Sequence, residues 1–257
     1  MSEEDTTAFE VSRAMGRGPA LLLCEHASNR IPARYGGLGL HDEDRRSHAA
    51  WDPGALALAQ RLAEALDAPL VSGTVSRLVY DLNRPPEAAS AMPTKTETVD
   101  VPGNIGLSDA ERAQRTRDIY DPFCAAVTGT VVTRKTLGTP FALITVHSFT
   151  PSWFGIQREV EIGILHDEDS HLADFMLEEA TRLPGRRIAR NDPYGPEDGV
   201  THSLKLHGIA NGLPNVMIEV RNDLLADETG IEMIAGELLT LLRPALAGLG
   251  LTETGNA

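Results

Sequence analysis

Short apolar runs alternate with amphipathic stretches along most of this chain. Ala20–Cys24 (ALLLC), Pro69–Ser72, Phe141–Val146, Val160–Leu165 and Val216–Val220 have the length and content of buried strands. Between them the apolar period becomes helical. In residues 53–66, Leu56, Ala59, Leu62, Ala63 and Leu66 share one face. Pro53 suits a first helical turn, and Asp52 before it suits an N-cap. Ser108 and Glu111 form a capping-box pattern, which predicts a helix running past Tyr120 and bent or interrupted at Pro122. Residues 169–182 and 228–242 read as further helices, the last bent or ended by Pro244. Leu78-Val79-Tyr80 continues or starts a strand. Pro85-Pro86 stops it, and residues 87–107 form a long loop of the kind that often carries function. Strands alternating with helices predict a three-layer αβα domain. It spans residues 18–250, after a loose tail at residues 1–17, and the chain beyond Gly248 is also expected to be loose.

Composition narrows the classes. With 42% hydrophobic and 23% charged residues, the chain can bury a core and is not a disordered segment. A net charge of −14 opposes binding to nucleic acid. The acidic, polar start lacks the pattern of a signal peptide, and no apolar run approaches the ~20 residues needed to span a bilayer. The expectation is a cytoplasmic protein without a membrane partner, and a homo-oligomer is compatible with it. Cys24 and Cys124 are too few and too far apart for a cysteine zinc knot.

Polar clusters sit at or near the ends of the apolar runs: Glu25-His26, Asp81-Leu82-Asn83-Arg84, His147-Ser148 and Glu219-Val220-Arg221. Amide hydrolysis needs a nucleophile, charge stabilisation and a proton carrier. A catalytic zinc supplies the first two, held by three His or carboxylate ligands. His26, Asp52 and His147 are the right types, although dispersed ligands have no diagnostic spacing. His48, close to Asp52, is a candidate to support a ligand from behind. Blander readings stand beside these. Asp52 could be only an N-cap, residues 81–84 only a turn, and Glu219 only an ion-pair partner of Arg221. Ser28 and Ser148 lack the strained G-x-S-x-G turn of a serine hydrolase, and the glycines lack a phosphate-binding fingerprint.

The stretches CEHASNRIP (24–32), HAAWDPGALALA (48–59), SRLVYDLNRP (76–85), LITVHSFTP (143–151), NDPYGPEDGVTHSLKLHG (191–208) and VMIEVRNDLL (216–225) carry a family resemblance. In this order they resemble the N-formylglutamate amidohydrolase family, which is similar in turn to zinc carboxypeptidases and aspartoacylases. The resemblance implies an open, mostly parallel mixed sheet flanked by helices, a phosphorylase/hydrolase-like fold, and one zinc per chain. Manganese, iron or cobalt would suit the same ligand types. His26 and His147 match the metal-binding histidines. Asn29 stands where the carboxypeptidase relatives place a glutamate ligand, so Asp52 is taken as the carboxylate, with Glu25 as the fallback. Glu219 matches the general base. Arg84 and Arg77 are candidates to clamp a substrate carboxylate, with Asn83, Arg221, Tyr194 and Thr201 as further contacts. Glu25, His48 and Ser148 are expected behind the ligands. The implied activity is a metal-dependent hydrolase of linear amide C–N bonds in a small N-acyl amino acid such as N-formylglutamate. A first motif of Glu-His-Ala-Ser, rather than Pro-His-Ser-Gly, marks a side branch. The alternatives are another zinc amidase or carboxypeptidase-like peptidase, and a non-catalytic binder of small ligands on the same scaffold.

Overall fold

The computed structural model describes residues 7–252. The expected loose ends therefore fall partly outside it, at residues 1–6 and 253–257. Seven strands form one sheet: β1 Phe9–Ser12, β2 Ala20–Cys24, β3 Leu70–Gly73, β4 Ala142–Phe149, β5 Ile162–Leu165, β6 Ile188–Arg190 and β7 Asn215–Arg221. Their order is β1-β3-β2-β4-β7-β5-β6. The central strands β3, β2, β4 and β7 run parallel, β1 is antiparallel at one edge, and β5 joins β7 antiparallel with β6 parallel to it. Phe9–Ser12 thus departs from the expected tail. Its backbone pairs with Leu70–Gly73, which supplies hydrogen bonds that its weak apolar pattern does not signal.

Helices cover both faces. Along β2, Ala20, Leu22 and Cys24 pack with helices α1 (Ala55–Ala65), α3 (His171–Glu179) and α4 (Glu228–Gly248). Leu21 and Leu23 face the other way, onto α2 (Asp121–Thr136) and the irregular segment after β3. Continuous apolar strands are what two covered faces require. No described helix is long and apolar enough to cross a membrane.

Three local expectations change. Leu78-Val79-Tyr80 is fully buried but is not a strand. Side chains satisfy its backbone instead: Asn104 Nδ2 donates to the Leu78 carbonyl at 2.8 Å, and Arg115 donates to that of Val79 at 3.1 Å. Asp52 does not cap α1. Gly54, at φ 80°, takes that position, which frees the Asp52 carboxylate for the interior. Pro244 does not end α4, which continues to Gly248 because Ala245 and Leu246 are buried in the core. The Ser108–Glu111 capping box is present.

Backbone contact is closest just before β2. Gly18 donates to the Asp67 carbonyl at 2.8 Å, and a Cβ on Gly18 would overlap the Leu66 carbonyl oxygen. Gly129, exposed on α2, has no atom within 4 Å of its would-be Cβ. Gly18→Ala should therefore destabilise by about 3 kcal/mol or abolish folding, whereas Gly129→Ala should stabilise by about 0.5–1 kcal/mol through helix propensity. Thermal and urea unfolding of both variants check the contrast.

Candidate metal and active site

Three neighbouring parallel strands, β2, β4 and β7, deliver the principal groups at one end of the sheet. His26 follows β2, His147 lies in β4, and Glu219 lies in β7 in register with His147. Asp52 is anchored to the same edge by its backbone N–H, which donates to the His26 carbonyl at 2.9 Å. Sites at the carboxyl ends of parallel strands are the rule in open α/β sheets.

The buried geometry centres on one oxygen. Asp52 Oδ2 lies 3.3 Å from His26 Nδ1 and 2.9 Å from His147 Nδ1. The Ser148 backbone N–H points to the same oxygen at 3.3 Å. Each of His26, Asp52 and His147 offers a ligand atom within 4.8 Å of the others. The far side of each imidazole also meets a carboxylate. His26 Nε2 is 2.7 Å from Asp81 Oδ1. His147 Nε2 is 3.2 Å from Glu25 Oε2, without the alignment of a hydrogen bond. An Nε2–H donated to Asp81 leaves the His26 Nδ1 lone pair facing the Asp52 oxygen. Such a contact needs a cation or a proton between the two atoms. Carboxylate behind histidine is also the usual support for a metal-binding imidazole. The donor set therefore fits a divalent metal ion.

Electrostatics say the same. Glu25, Asp52, Asp81 and Glu219 are buried together. Among the described residues, the half-buried Arg77 brings the nearest fixed positive charge, at 3.4 Å from Asp52 Oδ1 and 2.8 Å from Asp81 Oδ2, and Arg84 adds a weaker pull on Asp81. Burial alone would raise the Asp52 and Asp81 carboxyls. The neighbouring histidines, and for Asp81 also Arg77, overcome it and hold both well below the ordinary range. Burial would lower His147, but Glu25 and Asp52 push it well above the usual histidine value. Glu219 behaves differently: burial pushes its carboxyl up to about 7, and its Oε2 has no hydrogen-bond partner.

A cavity of about 340 Å³ opens onto this cluster. His26, Asp52, His147, Ser148, Glu219, Arg77, Asn83, Arg84, His48 and Tyr194 all line it. Several have other tasks than those expected. Arg77 is committed to Asp52 and Asp81 and is not a free clamp. Asn83 braces the 200–203 loop, donating to the Val200 carbonyl and accepting from Ser203 N at 2.9 Å. His48 pairs with Glu97 at 2.9 Å rather than with a ligand. Glu97 also accepts from Phe154 N at 3.1 Å, tying two loops together beside the cavity. Arg221 and Thr201 do not line the cavity. Arg221 is captured by Asp223 at 2.8 Å, and the Thr201 hydroxyl by Asp167. Asp81, read from sequence as part of a turn, is the residue that sequence reasoning missed. Its signal was its place just after the buried Leu78-Val79-Tyr80 run. Phe149 and Trp153, also unanticipated, complete the wall.

Arg77→Met should leave two buried carboxylates uncompensated and cost about 3 kcal/mol of stability at neutral pH. The loss should shrink as pH falls and the carboxyls take up protons. Unfolding midpoints across pH test this, and an unchanged midpoint at neutral pH would contradict it.

Comparison with known proteins agrees with this architecture. No curated protein matches the chain. The crystal structure of a gene product from Agrobacterium tumefaciens is 52% identical, with a TM-score of 0.94, covering 97% of this chain and 99% of that one. The crystal structure of N-formylglutamate amidohydrolase from Ralstonia eutropha is 23% identical, with a TM-score of 0.65 over 94% of this chain and 98% of that one, a likeness of fold. The family model described as N-formylglutamate amidohydrolase matches residues 18–226, and the chain belongs to that family.

Proposed function

We propose that this chain is a zinc-dependent amidohydrolase that cleaves the amide C–N bond of a small N-acyl amino acid, the class that includes N-formylglutamate. Family membership supports amide hydrolysis. The observation that carries metal dependence is the meeting of two histidine Nδ1 atoms at one buried Asp52 oxygen, with a carboxylate behind each ring. His26, Asp52 and His147 would hold the ion, which would supply an acidified water and Lewis-acid polarisation of the amide carbonyl.

The remaining work falls to the chain. Asp81 and Glu25 keep the imidazoles turned so that Nδ1 faces Asp52. Arg77 holds Asp52 and Asp81 in place by charge. Glu219, with a carboxyl near the working pH, takes a proton from water and gives it to the departing amine nitrogen. Arg84 donates to the Asn83 and Gly199 carbonyls at 3.0 and 2.9 Å through one nitrogen. These bonds fix the guanidinium at the cavity wall, and its other nitrogens are the donors we assign to the substrate carboxylate.

Zinc-loaded protein should release formate from N-formyl amino acids, and a chelator should stop it. Glu219→Gln should lower kcat by about 10²–10⁴-fold while zinc content stays unchanged. Ligand binding without any turnover by the wild type would favour a non-catalytic binder instead. In a separate measurement, Asp81→Asn should weaken zinc affinity by about 10–100-fold. Excess zinc should restore its activity, and full affinity in this variant would remove Asp81 from its positioning role.

A further inference from the structure

The cavity has one aromatic wall. Phe149, Trp153 and Tyr194 line it. Arg158 does not line the cavity, and its guanidinium packs over all three rings at 5.5, 5.3 and 4.7 Å from their centroids. It also donates to the Thr150 carbonyl at 3.4 Å. Cation–π contacts of this kind bind the rings into one surface. The Arg158 charge is spent against that surface.

Usable positive charge within the cavity is scarce. Arg77 is neutralised by Asp52 and Asp81. Arg84 pairs with no carboxylate among the described residues. Three acids, Asp52, Asp198 and Glu219, face the same space. One guanidinium can take one carboxylate through paired hydrogen bonds. A second carboxylate would be desolvated against rings and like charge, with nothing to pair it.

We infer that the site selects N-acyl amino acids with one carboxylate and an aromatic side chain over dicarboxylates such as N-formylglutamate, an inference that rests on the hydrolase reading above. The α-carboxylate goes to Arg84. The ring lies on the Phe149–Trp153–Tyr194 wall, which offers offset or edge contacts. The acyl carbonyl then faces His26, His147 and Glu219.

The test is calorimetric titration of zinc-loaded Glu219→Gln protein with N-formyl-L-phenylalanine and N-formyl-L-glutamate, beside turnover of both by the wild type. The expected result is at least about tenfold tighter binding of the phenylalanine compound, the size of one buried ring. Trp153→Ala should erase most of that preference, weakening binding of N-formyl-L-phenylalanine far more than that of N-formyl-L-glutamate. Equal or tighter binding of the glutamate compound would overturn the inference, and its turnover would leave the hydrolase reading standing. Preferential binding of the phenylalanine compound without turnover by the wild type would uphold the selectivity and remove the hydrolase. Binding of neither compound would overturn both.

Discussion

Everything at the carboxyl end of this sheet follows from burying more carboxylate than fixed positive charge. Glu25, Asp52, Asp81 and Glu219 lie together inside the protein, and among the described residues only Arg77 makes an ion pair of fixed charge with any of them, while Arg84 adds a weaker pull on Asp81. Isolated buried carboxylates cost several kcal/mol each. The cluster must therefore hold a proton on His147 or a cation beside Asp52. The shifted carboxyls and the raised His147 express that pressure. Glu219 escapes it by staying close to neutral, which is also the condition for moving a proton near pH 7.

The fold makes this concentration of charge affordable. Parallel strands β2, β4 and β7 are adjacent, so three backbone ends arrive at one place with fixed spacing. Their flanks are sealed by apolar side chains on both faces. Gly163 on β5 matters for the same reason. A Cβ there would collide with the Asp192 carbonyl and press on Glu219 at 3.3 Å from its Cβ. The rest comes mainly from loops: Asp52 from the turn before α1, Asp81 and Arg77 from the irregular segment after β3, and the ring wall from Phe149 at the end of β4 with Trp153 and Tyr194 beyond it.

Much of this is legible in the sequence, for a physical reason. Apolar strands buried on both faces end in polar clusters at the sheet edge, which draws attention to Glu25-His26, His147-Ser148 and Glu219. The three-layer sheet follows from the same alternation. What fails depends on partners distant in sequence. Arg77 reads as a substrate clamp until Asp52 and Asp81 are seen to hold it. Arg221 follows an apolar strand, yet Asp223 and Glu161 beside it capture the guanidinium. Asp81 looks like a turn former because Asp, Asn and Pro cluster there, and only the fold sets its carboxylate behind His26. The edge strand Phe9–Ser12 and the buried, unpaired Leu78–Tyr80 run exchange their expected roles because hydrogen-bond supply, not apolar content, decides them.

The central claim is that the Asp52 oxygen and the two Nδ1 atoms share a divalent cation. Calorimetric titration of zinc into chelator-treated, dialysed protein near pH 7, in buffers of different ionisation enthalpy, tests it directly by counting protons. Metal binding releases the protons that its ligands hold. The account predicts about one zinc per chain and the release of at least about one proton, that of His147. Absence of zinc binding, or binding that releases no proton and survives in His147→Ala, would contradict it.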